Sequence, residues 1–162
     1  MSDLRELQRM LDRAARELPN TVTTIIEVEG LNFIQKNFED QGYNDTGLEE
    51  WEERKTADDR GRDITRYRTN RVGRQGNLNR YGSRNKDRAI LTGHETGGNK
   101  LRNSIRARKT KNAVRFFTSK EYAQRHNEGL DGMPQRQFMG KSKYFEDQIK
   151  AKLKRTLDRT FR

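Results

Sequence analysis

The chain has 162 residues, 35 Lys+Arg against 24 Asp+Glu, and a formal net charge of +11. Only 30% of it is hydrophobic, and Leu, Ile, Val and Phe fill 30 of 162 positions, about 19%, a share at which disorder competes with a packed core. There is no apolar run long enough to span a bilayer, no apolar signal core in the charged start MSDLRELQRM, no cysteine, and only two histidines, His94 and His126, too few for most metalloenzyme constellations. The expectation is a protein without a membrane span or cofactor, made in the cytoplasm as one domain over 1–162.

Leu4, Leu7, Leu11, Ala14 or Ala15, and Leu18 recur at three- and four-residue spacing, which predicts an amphipathic first helix capped by Ser2 or Asp3. Pro19 is expected to end it, because proline has no N–H for the next helical bond. A second helix is predicted over about Thr21 to Asp40 from Val22, Ile25, Ile26, Val28, Leu31, Phe33, Ile34 and Phe38, with Gly42 as its left-handed stop.

Residues 52–88 hold no sustained period, only scattered Ile64, Tyr67, Val72, Leu78 and Tyr81 among Arg, Asp, Asn and Gly. They read as an extended basic loop that orders, if at all, against a partner. Next, Leu101, Ile105 and Ala107 alternate with Arg102, Ser104, Arg106 and Arg108, the pattern of a half-buried strand with a basic outer face. Lys109–Asn112 reads as a turn, and Val114, Phe116 and Thr118 as the returning strand, with Arg115 and Phe117 on its other face. A short helix over Glu121–Asn127 is expected, capped by Ser119 and closed by Gly129. A short extended piece over Arg136–Met139 and a last helix from Ser142 follow. That helix carries Phe145, Ile149, Leu153, Leu157 and Phe161 as a winding stripe. The fold class is α+β: a small, mainly antiparallel sheet packed with N-terminal helices and a C-terminal helix, with a long basic loop.

Charge is segregated along the chain. Residues 1–53 hold 5 basic and 13 acidic side chains, a net of −8; residues 54–88 hold 12 and 4, a net of +8; residues 89–162 hold 18 and 7, a net of +11. Such polarity fits either an anionic partner for the basic part or an acidic surface of one copy meeting a basic surface of the next.

Signals for chemistry are sparse. His126-Asn127 matches a fragment of an HNH-type nuclease motif, which needs further ligands and an activating histidine. Asp58-Asp59 and the cluster Glu49, Glu50, Glu52, Glu53 are carboxylates of the kind that bind Mg²⁺, but solvated carboxylates on a helix end account for them more simply. The string from Gly93 to Gly98 lacks a phosphate-binding lysine motif and reads as a loop. Arg66, Arg68, Arg71, Arg74, Arg80 and Arg84, interleaved with Tyr67 and Tyr81, are candidate partner- or DNA-contacting residues. No helix-turn-helix, zinc-finger or RNA-binding signature accompanies them.

Three segments taken together carry a resemblance. They are Ile90-Leu91-Thr92-Gly93 leading to Leu101-Arg102-Asn103-Ser104-Ile105; Glu121-Tyr122-Ala123-Gln124-Arg125-His126-Asn127-Glu128-Gly129; and Met133-Pro134-Gln135-Arg136-Gln137-Phe138-Met139-Gly140-Lys141-Ser142. With Phe38, Gln41, Gly42 and Trp51 upstream, the sequence resembles the virion morphogenesis family of tailed phages, the Mu-type tail-completion proteins, over roughly residues 33–51 and 90–145. The matching positions are Leu91, Thr92, Gly93, Leu101, Ser104, Ile105, Tyr122, Ala123, His126, Gly129, Pro134, Arg136, Phe138, Gly140 and Ser142. The arginine-rich stretch near 54–88 and Gly97-Gly98-Asn99 depart from the family pattern.

The resemblance implies a non-enzymatic virion component, located at the head–tail junction or tail end. It would complete the tail or join it to the head as a ring of copies in contact with other neck, connector or tail proteins. Tyr122, Ala123 and His126 are expected to face the sheet from the short helix, with His126 as a hydrogen-bonding core or interface residue. Phe138 is expected to point inward with Arg136 on the same face, paired to an acidic group at a subunit boundary, and Ser142 to cap the last helix. The basic loop is expected first to contact a neighbouring subunit or acidic neck protein, and second to contact DNA in the channel without sequence preference. The rival class is a stand-alone basic nucleic-acid-binding protein.

Overall fold

The structure, a computed structural model, describes residues 2–65, 67–69, 76–85, 88–91 and 100–160. Its fold is α+β, with helices at both ends and two small antiparallel sheets between them. In chain order the elements are α1 (Ser2–Asp40), β1 (Gly42–Asn44), β2 (Leu48–Glu50), α2 (Arg80–Asn85), α3 (Leu101–Ser104), β3 (Arg106–Lys109), β4 (Val114–Phe117), α4 (Ala123–Glu128) and α5 (Lys143–Thr160).

The two expected N-terminal helices are one, α1, with Pro19 inside it. Proline removes a single backbone donor and crowds the preceding turn, which bends or weakens a helix without always ending it. Just after it the hydroxyls of Thr21, Thr23 and Thr24 donate back to the carbonyls of Glu17, Pro19 and Asn20 at 2.8–3.1 Å, local bonds that help a helix bend. At its far end the left-handed residue is Gln41 (φ 54°) and not Gly42. Gly42 is instead required for close approach across the β1–β2 pair, where a Cβ would stand 2.6 Å from the Glu49 carbonyl oxygen. That hairpin, with Tyr43 opposite Glu49, was not anticipated from the sequence.

Thr23, Gly30, Phe33, Ile34, Asn37 and Phe38 form the buried stripe of α1, at helical three- and four-residue steps. Phe33 stacks on Phe145 of α5 at 5.2 Å and meets the Tyr43 ring edge-on at 5.7 Å. Phe38 contacts Trp51 and Phe138 at 5.5 and 5.1 Å. The buried apolar core is Phe33, Ile34, Phe38, Tyr43, Trp51, Leu101, Ile105, Ala123 and Phe138, so five of its nine members are aromatic. Each aromatic ring buries far more area than an aliphatic side chain, and this is how an apolar-poor chain closes a core.

The second sheet is the expected hairpin, β3 against β4, with Arg108 opposite Arg115 and Arg106 opposite Phe117. Its approach differs from expectation: Leu101 to Ser104 is one helical turn, not strand, and the strand begins at Arg106. Leu101 and Ile105 are buried on both readings, because positions i and i+4 also share a helix face. The hairpin lies on α1, where Gly30 lets the Phe116 ring approach so closely that a Cβ would sit 2.1 Å from its Cζ.

Residues 52–88 are not a structureless loop where described. Ala57 bridges Asp63 and Arg68 bridges Leu78. Asp58 accepts from the backbone N–H groups of Arg60 and Arg62 at 3.0 and 2.8 Å, a side-chain-closed turn. The Asn79 carboxamide oxygen accepts from the Gly82 N–H at 2.9 Å and opens α2. Local Asx chemistry thus organises a segment that hydrophobic periodicity cannot reveal. The Gln41 side chain ties its end to the body, donating to the Phe38 carbonyl at 2.6 Å and accepting from the Ile90 N–H.

Candidate functional site

The segment from Arg136 to Ser142 crosses the core without regular secondary structure or a strand partner, where a short strand was expected at Arg136–Met139. Buried backbone groups need partners, and here side chains supply most of them. Asn127 of α4 accepts from the N–H groups of Phe138 and Met139 at 3.0 and 2.9 Å and donates to the Met139 carbonyl at 3.0 Å. Asn37 of α1, fully buried, donates to the Phe138 carbonyl at 3.2 Å, while its oxygen accepts from the Asn44 N–H and carboxamide. The Trp51 indole donates to the Gln137 carbonyl at 2.8 Å and the Tyr43 hydroxyl to the Lys141 carbonyl at 3.0 Å. Burial, then the charge of Asp45, pushes the Tyr43 phenol up to about 12, so it stays protonated as a donor. The outcome is a clamp of side chains on one segment, with Phe138 fully buried at its centre.

Arg136 is buried, as Phe138 is. Its partners are not acidic side chains at a subunit boundary. The guanidinium donates to the Glu52 carbonyl at 3.1 and 2.9 Å and to the Glu53 carbonyl at 3.2 Å, within the same chain. A planar fork suits such parallel acceptors, and Arg136 thereby anchors the backbone that carries the exposed Glu52 and Glu53 carboxylates. Pro134 and Met133 line one side of an open cleft of about 590 Å³ beside Arg136, with residues 52–55 on the other.

His126 is half-buried on α4, and its backbone carbonyl accepts from the Arg136 N–H at 2.7 Å. Its Nδ1 is buried without a hydrogen-bond partner, so the expected hydrogen-bonding role is not seen for that atom. Burial first, and the Arg136 charge second, hold its pKa below the ordinary 6.5. Tyr122 corrects another expectation. It is 42% exposed and meets the His126 ring edge-on at 6.0 Å, while Ala123 alone of the pair is buried. Ser119 does not cap α4; Tyr122 is its N-cap, without a side-chain bond. Gly129 closes α4 in the left-handed conformation (φ 69°) as expected. Ser142 caps α5: its Oγ accepts from the Phe145 N–H at 3.1 Å and donates to the Asn44 carbonyl at 2.7 Å. Gly140 is exposed beside the Tyr43 hydroxyl, where a Cβ would come within 3.0 Å.

Of the upstream motif, Leu101 and Ile105 join the core and Ser104 shares a 2.6 Å hydrogen bond with Thr118 across the hairpin base. Leu91 packs against the core in a left-handed conformation (φ 58°). Thr92, Gly93 and His94 lie outside the described residues, as do Phe161 and, among the candidate arginines, Arg66, Arg71 and Arg74. Arg68 is engaged within the arm, donating to the Gly76 carbonyl at 3.0 Å and lying 3.6 Å from Asp63. Arg80 and Arg84 are exposed on α2.

The glutamates at 49, 50, 52 and 53 lie on β2 and just after it, not at a helix end, and all are exposed. Asp58 is occupied by Arg62 at 2.7 Å and by backbone donors. Among the described residues no group of three or more His, Asp or Glu side chains gathers into a metal site, and no helix there is long and apolar enough to cross a membrane. Sequence reasoning passed over Asn37 and Asn44 entirely. A carboxamide between Ile34 and Phe38 on an otherwise apolar helix face was the available signal. No protein-family model, curated protein or solved structure matches the chain.

Proposed function

We propose that this chain is a structural subunit of a tailed-phage or prophage virion, acting in tail completion or head–tail joining at the neck. Copies assemble into a ring that meets other neck, connector or tail proteins. In this reading it is made in the bacterial host cytoplasm, performs no catalysis, and touches DNA, if at all, through non-specific contacts in the channel.

The observation that carries assembly is the first half of α1. Every described side chain from Gln8 to Leu18 is exposed, with Leu11 at 56% and Leu18 at 40%. An isolated stretch of that length is marginal as a helix in water and gains its stability by burying an apolar stripe. The motif residues add a second support, because Arg136, Phe138, Ser142, Leu101 and Ile105 serve as scaffold around one clamped segment. The placement at a phage neck rests on the resemblance over residues 33–51 and 90–145.

Electron microscopy and sedimentation of the purified full chain, alone and with neck and tail components, test the reading. Rings or co-assemblies are expected. A dispersed monomer that binds duplex DNA tightly, with affinity falling steeply as salt rises, overturns it in favour of a nucleic-acid-binding protein.

A further inference from the structure

We propose that the outward face of the β3–β4 hairpin of one copy docks on the acidic β2 edge of the next, a head-to-tail contact that rests on the assembly reading above. Strand alternation turns Ala107, Val114 and Phe116 inward and leaves Arg106, Arg108, Arg115 and Phe117 outward. The register sets Arg108 directly opposite Arg115. Like charges so placed on one face of a sheet destabilise it unless something neutralises them. Among the described residues neither arginine has an ion pair, and Arg106 reaches only the carbonyls of Asn103 and Ile105. Phe117 stands beside them, 37% exposed. Among the described residues this face has no carboxylate paired to its guanidinium groups, and its Phe117 ring is partly open to solvent.

The β2 edge offers carboxylates and an exposed leucine. Leu48, 47% exposed, shares a strand face with Glu50 while Glu49 points to the other face, and Glu49, Glu50, Glu52 and Glu53 are all exposed and without ion pairs among the described residues. Their backbone is held by the β1 ladder, the buried Trp51 and the Arg136 fork, so the carboxylates project from a fixed edge. Carboxylate–guanidinium pairing is bidentate and directional, and it sets register as well as attraction.

The two patches are kept apart within one chain. The hairpin is fastened to α1 near Thr24 and Glu27, through Lys109, and at Gly30. The β1–β2 pair follows the end of α1 at Asp40, roughly 20 Å further along by helical rise. Neutralisation therefore comes from another molecule. Phosphates would satisfy the arginines but leave the acidic edge without a partner, whereas a second copy uses both patches. Because the patches differ, the contact is heterologous and propagates to a ring or a filament.

Sedimentation velocity of the full chain provides the test. Wild type is expected to assemble, and R108Q/R115Q and E49Q/E50Q each to associate at least tenfold more weakly, with unchanged far-UV circular dichroism. E52Q/E53Q supplies a second acidic-side variant. Mixing R108Q/R115Q with E49Q/E50Q is expected to yield a 1:1 complex and nothing larger, since each variant keeps one intact patch. If wild type assembles and every variant assembles equally well, this docking is overturned while the assembly reading stands. If wild type alone stays monomeric, this docking is overturned, and the assembly reading falls with it when neck and tail components also fail to draw the chain into a co-assembly. Loss of duplex DNA binding by R108Q/R115Q, with wild type dispersed, assigns the face to nucleic acid and overturns the docking.

Discussion

Asn127 is bonded to two successive N–H groups and a carbonyl of a segment that has no sheet ladder of its own. Truncating it orphans two donors beside the fully buried Phe138. Each such group costs about 1–3 kcal/mol, so Asn127→Ala is expected to lower stability by about 3 kcal/mol in urea unfolding. Asn103→Ala, an exposed position on α3, should stay within about 0.5 kcal/mol. His126 predicts a pH response. Its folded pKa lies below the ordinary 6.5, so the unfolded chain takes up the proton first as pH falls. The native state is then at no disadvantage above pH 6.5 and loses stability as pH drops below it, until the folded histidine also titrates. Unfolding free energies between about pH 7.5 and 5 should show this decline in wild type, and His126→Gln should remove that component. Asn37 and Asn127 were not legible as site residues, because asparagine is ordinarily a turn or surface residue, and only the path of residues 136–142 shows what they hold. Ser142 and Gly129 were legible, because caps act on their own neighbours in sequence.

At the scale of elements, α1 and the β3–β4 hairpin meet through Gly30. Alanine there improves helix propensity by about 1 kcal/mol but drives a Cβ into the Phe116 ring. Overpacking of this kind costs roughly 1–3 kcal/mol, so Gly30→Ala is expected to be net destabilising by about 1 kcal/mol. In a Phe116→Ala background the clash is gone, and the same substitution should become neutral or stabilising. A double-mutant cycle by thermal or urea unfolding reads the reversal. The hairpin was visible in the sequence through its period of two. The continuity of α1 through Pro19 was not, since a proline ends most helices. The turns of 56–69 and 76–85 were hidden for a different reason. They are closed by Asp58, Asp63 and Asn79 side chains, which leave no hydrophobic pattern.

At the scale of the whole molecule, a net charge of +11 divides into an acidic N-terminal third and a basic remainder. Exposed charges on separate patches interact through solvent and are screened within about 8 Å at physiological salt and about 3 Å at 1 M. Assembly through the hairpin and the β2 edge should therefore weaken strongly between about 0.1 and 1 M salt. Assembly through the leucines of α1 should persist or tighten, and sedimentation at the two salt levels separates the contributions.

By itself the amino-acid order determined the α+β class, the final helix with its cap, the charge polarity and the inward placement of Phe138, Leu101 and Ile105. These follow from local periodicity and neighbour chemistry. Tertiary structure alone decided that five aromatic rings make an apolar-poor chain pack, and that Arg136 grips backbone carbonyls rather than an acid. It also decided that Arg108 stands against Arg115 while the glutamates of the β2 edge remain without ion pairs among the described residues. The packing of the rings and the grip of Arg136 depend on groups far apart in sequence brought within a few ångströms, and the facing of Arg108 and Arg115 depends on the register of their hairpin.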